Sequence, residues 1–265
     1  MKQLRPMKQP NFDHVARLYR WAEYLTLGPL LQRTRTHFLA QLPAFNNALI
    51  LGDGDGRFLA QLLAHQPTLQ ALAVDTSATM LQLLRRRCQP YADRLQTLQT
   101  SAMNLTPATI RLASSAPSAS SASAALATIG YPKASALGLL SPLGKKGAGS
   151  PRPEPWVSPD LITTHFFLDC LTQPQVDALT QSLAAQISPG ALWLLSDFGQ
   201  PRPRALRPLA AIYIRFLYLA FRLLTGLRVT HLPDPQTSLS RAGFHRIARH
   251  DLLYGLLYAE IWEYR

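Results

Sequence analysis

The sequence predicts an α/β protein: a doubly wound, mainly parallel seven-stranded sheet with an antiparallel C-terminal hairpin and helices on both faces. Three observations predict it. Short apolar runs alternate with amphipathic stretches from residue 48 onward, the pattern of buried strands joined by right-handed helical crossovers. A turn of alternating glycines, Gly52-Asp53-Gly54-Asp55-Gly56, follows the first of these runs directly. The last two strand-like runs are joined too tightly for a parallel connection.

The elements follow in order. Over 11–42, Phe12, Val15, Leu18, Tyr19, Leu25, Leu30, Leu31, Phe38, Leu39 and Leu42 recur at roughly helical spacing. Gly28-Pro29 divides this stretch into two helices, and Pro43 ends it. ALIL (48–51) is a strand, 56–66 a helix, ALAVD (71–75) a second strand and 77–88 a helix with Ser77 as N-cap. LQTLQ (95–99) is a weak third strand. Residues 107–158 are rich in Ala, Ser, Pro and Gly. Such a stretch buries too little to offset its ordering entropy and reads as a flexible surface insertion. The alternation resumes with a strand at 159–167, a helix at 173–187 and a strand at 191–198. An apolar helix spans 209–224, a loop 232–237, and a short helix closes at 239–242 before Gly243. Two final strands meet around Tyr254-Gly255. The chain reads as one domain over 1–265.

Composition narrows the class. The 265 residues are 47% hydrophobic and only 16% charged, yet carry a net charge of +12. That is a globular core with a basic face toward a membrane or an anionic substrate, not the dense basic coat of a nucleic-acid packaging protein. Cys88 and Cys170 lack ligand spacing, which predicts a cytoplasmic protein without disulfides or a structural metal. No apolar stretch follows the basic start, so no secretory signal is expected. Arg215 and Arg222 interrupt the longest apolar run, 209–224, which excludes a spanning helix there but leaves a peripheral membrane contact open.

The glycine turn argues against two ligand classes, though a glycine-rich turn of another nucleotide-binding fold, and with it a nucleotide-dependent oxidoreductase, stays open. A phosphate loop ends in Gly-Lys-Ser/Thr, whereas this one continues Arg57-Phe58. A dinucleotide loop reads G-x-G-x-x-G, and its third glycine is replaced here by Arg57. Two aspartates would also repel a diphosphate. The pattern present, G-x-G-x-G after a strand, resembles the loop of the class I S-adenosylmethionine-dependent methyltransferases, whose cofactor is cationic and carries no phosphate.

The resemblance implies S-adenosylmethionine as cofactor, with Gly52, Asp53, Gly54 and Gly56 along it. Asp75, 19 residues after Gly56 at the tip of the second strand, and its neighbour Thr76 then fall at the ribose; the competing role for Asp75 is to cap the helix that follows. Ala102 and Met103 fall beside the adenine, although Ser101 stands where an aspartate is usual and Met103 is equally suited to the core. Phe12 to Tyr19 is similar to the F-D-x-x-A-x-x-Y opening of small-molecule and quinone-type members. This makes Tyr19 either a cofactor contact or an ordinary buried aromatic. Thr164 and His165 end the fourth strand, where methyl donor meets acceptor. His165 is the candidate general base, with a packed core histidine as the alternative. Asp169 is available to cap the turn that follows. The chain departs from the family at Ile50, which occupies the usual place of an acidic residue; Asp53 and Asp55 are the candidates to replace it.

The marks of several acceptor classes are missing. No Asn/Asp-Pro-Pro-Tyr/Phe stretch follows strand four, no Pro-Cys pair is present and no acidic–histidine cluster suggests a metal-dependent catechol site. A small-molecule or lipid-like acceptor remains, with nucleic acid disfavoured. The resemblance makes 200–242 the acceptor lid. Over 202–249 there are nine arginines and one acid, Asp234, so 202–228 could rest on an anionic bilayer. The competing class is a non-enzymatic protein of this fold, binding membrane or RNA through the same basic region.

Overall fold

The computed structural model describes residues 27–110, 158–225, 229 and 231–265. The expected helix before Gly28, Tyr19 and nearly all of the 107–158 insertion lie outside the described residues.

Seven strands form one sheet in the order β3-β2-β1-β4-β5-β7-β6. They are β1 (Asn47–Leu51), β2 (Gln70–Asp75), β3 (Leu95–Gln99), β4 (Leu161–His165), β5 (Leu192–Phe198), β6 (Phe244–Leu252) and β7 (Leu257–Tyr264). The first five run parallel. β7 is antiparallel to both β5 and β6, so the expected hairpin is present, and its second strand inserts between β5 and the first. An irregularity in register between Arg246 and Ala248 sets Ile247 outward as a bulge, half exposed at 51%.

Helices α1 (Gly28–Thr36), α2 (Arg57–His65), α3 (Ala78–Arg87), α4 (Gln173–Ala184), α5 (Arg207–Thr225) and α6 (Pro235–Arg241) surround the sheet. Strand side chains alternate between its two faces. Ala48 and Ile50 join Phe58, Leu59, Leu62 and Leu63 of α2 in one apolar layer. Leu49 and Leu51 join Val176, Leu179 and Leu183 of α4 in the other. Both faces are buried, which is why the central strands read as unbroken apolar runs rather than alternating ones.

The helix starts follow local chemistry. Ser77 caps α3 by accepting the Met80 N–H at 3.2 Å. Thr172 and Gln175 close a capping box on α4. The cap expected of Asp75 and of Asp169 is therefore supplied by neighbours in both cases. Among the described residues no helix is long and apolar enough to cross a membrane, and no group of three metal-ligating side chains occurs.

Glu260 of β7 is fully buried at 0% exposure and fully engaged. Arg246 and Arg249 pair with its Oε1 at 2.8 and 2.6 Å, and the Trp262 indole N–H donates to Oε2 at 2.9 Å. Arg202 and Arg249 also pair with Asp251. Part of the basic stretch seen in the sequence is thus neutralised by acids lying just beyond it.

Candidate active site

The carboxyl ends of β1, β2 and β4 open on one rim of the sheet, where open α/β folds bind ligands. Gly52, Gly54 and Gly56 all have positive φ, at 67, 60 and 79°, a backbone that side-chained residues adopt at a cost. The reasons differ by position. A Cβ on Gly52 would run into the Phe167 ring, and one on Gly56 would press on Leu84, whereas one on Gly54 would meet nothing within 4 Å. The open space at Gly54 leaves its backbone accessible to a ligand.

The two aspartates of the loop have separate fates. Asp55 accepts Arg87 at 2.8 Å and pairs with Arg57, so it closes the loop onto α2 and α3 and offers no counter-charge to a cofactor. Asp53 turns inward. Its Oδ2 accepts the Leu59 N–H at 3.0 Å in the first turn of α2, while Oδ1 is buried without a partner. Burial pushes its carboxyl up to about 7, opposed by the Leu59 N–H and the Arg35 charge. Ile50, 1% exposed, is an ordinary core residue. Of the two loop aspartates, only Asp53 offers a carboxyl oxygen that the protein has left uncompensated.

Arg35 of α1 is the residue that sequence reasoning missed here. It is 8% exposed, lies 5.1 Å over the Phe166 ring, and its charge reaches both Asp53 and His165. Only its position in an otherwise uncharged stretch of α1's inner face could have marked it. Phe166 itself holds φ 53° immediately after β4, strained backbone of the sort that gathers at functional sites.

Asp75 ends β2, and its Oδ1 accepts the Ser77 N–H at 2.9 Å. That bond orients the carboxyl at the rim. Its charge adds to the burial that raises the Cys170 thiol after β4. The Thr76 carbonyl accepts from Gln99 at 3.2 Å. Ala102 and Met103 sit in a single turn anchored by the Ser101 hydroxyl, which accepts the Met103 N–H at 3.3 Å. Both are half-buried against the α4 layer, so Met103 lies at the edge of the core and along the rim.

The remaining expectations fare differently. Thr164 is fully buried, and its hydroxyl accepts the Trp193 indole N–H at 2.8 Å. Its side chain works inside the sheet, which corrects its expected contact with a cofactor. His165 points to the α2 face, 4.2 Å from the Phe58 ring, with neither ring nitrogen hydrogen-bonded. Burial, with the Arg35 charge adding, holds it well below the usual histidine value. A histidine so disfavoured as a cation is a poor proton acceptor, which counts against its role as general base.

No family model and no curated protein matches the chain. Solved structures do. An O-methyltransferase family protein from Burkholderia thailandensis superposes with TM-score 0.58 at 14% identity, over 94% of this chain and 59% of its own. An O-methyltransferase family 2 protein from Planctomyces limnophilus, in complex with apigenin, gives 0.57 at 16% identity over 94% and 62%. The fold is that of the S-adenosylmethionine-dependent methyltransferases. The chain spans about three-fifths of the length of these O-methyltransferases. The N-methyltransferase NodS from Bradyrhizobium japonicum, at TM-score 0.50 and 9% identity, is matched over 91% of this chain and 98% of its own.

Proposed function

We propose that the protein is an enzyme that transfers a methyl group from S-adenosylmethionine to a small or lipophilic acceptor. The observation that carries this is the buried Asp53 oxygen left without a partner beside a glycine loop whose backbone is open at Gly54. A cation bound there would complete a carboxylate that the protein alone leaves uncompensated. The residues fit the cofactor in parts. Asp53 faces its ammonium, Arg35 its carboxylate, Asp75 its ribose hydroxyls, and Ala102 and Met103 its adenine. When bound, the cofactor supplies the electrophilic methyl group. The protein's own work is to align, to exclude water and to manage the acceptor's proton.

Calorimetry with S-adenosylhomocysteine tests the reading. Micromolar binding is expected, weakened about 100-fold by Asp75→Ala, since two hydrogen bonds to a charged group are lost. Absence of binding to the folded protein at neutral pH would remove the proposal and leave the non-enzymatic alternative.

A lipid-like acceptor is favoured by α5. Leu209, Ile212, Phe216 and Leu219 are 66, 66, 69 and 53% exposed, and their spacing places them along one side of the helix. On its inner side the Tyr218 hydroxyl donates to the Asp169 carbonyl at 3.1 Å. The helix thus covers the rim with one side and presents an apolar stripe with the other. Exposed Arg204, Arg207 and Arg215 accompany the stripe. That charge suits an anionic lipid surface and would repel a second copy of the same face. Flotation is expected with phosphatidylglycerol-containing vesicles but not with pure phosphatidylcholine. Ile212→Ser with Phe216→Ser should reduce it about tenfold or more. A concentration-dependent dimer dissolved by the same pair of changes would overturn the lipid assignment.

A further inference from the structure

Two acids at the ends of neighbouring strands are used by nothing described so far. Asp169 follows β4 and Asp197 lies near the end of β5; they are 4% and 2% exposed. Asp197 Oδ1 accepts the Phe198 N–H at 2.8 Å. Asp169 Oδ1 and Asp197 Oδ2 are buried with no hydrogen-bond partner. Glu260 shows what a structural buried acid looks like in this protein: two arginines and an indole N–H satisfy it. An unmet buried carboxyl oxygen costs about 1–3 kcal/mol or more, and two such oxygens at adjacent strand ends ask for a ligand.

Their surroundings say which kind. Tyr218 brings the cover helix α5 onto the Asp169 carbonyl. Tyr258 of β7 pairs in register with Asp197. Cys170, Tyr218, Tyr258, Glu260 and Asp75 are the titratable groups around the pair. Arg249, whose charge also acts on Tyr258, lies 4.5 Å over the Tyr258 ring and is bound to Glu260 and Asp251. An anionic ligand would meet like charge here, and only a hydrogen-bond donor would satisfy both oxygens. His165 projects from the opposite face of the sheet, against Phe58.

We propose that Asp169 and Asp197 form the proton-accepting site for the methyl acceptor, and that the acceptor presents an O–H or N–H rather than a carboxylate or a carbon nucleophile without an acidic proton. The proposal rests on the methyl-transfer reading above. Burial pushes Asp169 up to about 6. Burial and the Asp169 charge push Asp197 well above the usual carboxylate range. With its value raised to about 6, Asp169 is mostly ionised at neutral pH and accepts. In the transfer, the acceptor's proton moves to Asp169. The electron pair left on oxygen or nitrogen takes up the methyl group, and the former carbon–sulfur pair stays on sulfur. No further reactant is required.

The test is carboxyl-carbon NMR of the full chain labelled at aspartate, with S-adenosylhomocysteine present. Asp169 is expected to titrate near 6 and Asp197 well above the usual carboxylate range. Asp169→Asn should lower the Asp197 midpoint by about one unit or more, and Asp197→Asn, a second isosteric change, should keep the Asp169 signal assignable. Phenol or aniline should shift both signals; benzoate should not. Ordinary midpoints near 4, an Asp197 midpoint indifferent to Asp169→Asn, or shifts caused by benzoate or by none of the three probes would overturn the proposal. Calorimetry on the same samples separates the two readings. Normal midpoints with intact S-adenosylhomocysteine binding sink only the carboxyl pair, whereas lost binding with coupled midpoints sinks the cofactor.

Discussion

S-adenosylhomocysteine is expected to bind roughly tenfold more tightly for each pH unit gained between about 5 and 7, and to gain nothing more well above 7. The cause is Asp53. Its carboxyl, raised to about 7 by burial, is neutral at the lower pH and offers no charge to the ligand's ammonium. Asp53→Asn should flatten the profile and bring affinity at pH 8 down to about that of the native protein near pH 5. The sign for stability is opposite. An acid whose folded value is raised favours the folded state at low pH, and that contribution is lost as pH rises from about 4 to about 7. The empty Asn variant should therefore be more stable than the native protein at pH 8 by urea unfolding, while binding worse. A flat affinity profile in the native protein, or an Asn variant with unchanged affinity at pH 8, would place the ammonium elsewhere.

Gly52→Ala and Gly54→Ala should part company although both residues lie in one loop at nearly the same φ. Each substitution imposes about 1–2 kcal/mol of left-handed backbone strain. At Gly54 that is all, because a Cβ there meets nothing. At Gly52 the Phe167 ring must also leave its place, and Phe167 packs against the α4 layer. Overpacking adds about 1–3 kcal/mol more. Gly52→Ala should lower the urea midpoint at least twice as far as Gly54→Ala and should abolish measurable S-adenosylhomocysteine binding. Comparable losses from the two would show that the Phe167 contact carries no weight.

The fold was legible because the central strands are buried on both faces. That burial writes them as apolar runs, and their connections as amphipathic helices, in a pattern with few alternative solutions. β3 was the weakest, since only Leu95 of its five residues is buried. The insertion of β7 between β5 and β6 was not legible, because apolar patterning marks a strand as buried without naming its neighbours. In the candidate site, the glycines and Asp75 were legible through spacing. Asp53 and Asp55 were not separable: one accepts a backbone N–H six residues on, the other an arginine 32 residues away. Asp169 read as a cap because acids commonly precede helices, and only the capping box made by Thr172 and Gln175 frees it. His165 stood at the right strand end but on the face that strand alternation turns toward Phe58.

The position of β7 bears on how the chain assembles. It comes last of the seven strands in sequence, yet it is flanked on both sides, by β5 and β6. During synthesis, β1 to β5 can pair while the side of β5 that will receive β7 still shows unmet backbone groups, and that side stays open until residue 264 has left the ribosome. β6 emerges earlier, and among the described residues the strand it pairs with is β7. The interval between the two is the time when this sheet is most exposed to intermolecular pairing. Closing it also brings Glu260 to Arg246 and Arg249, so one late step completes the sheet and neutralises its buried charge together.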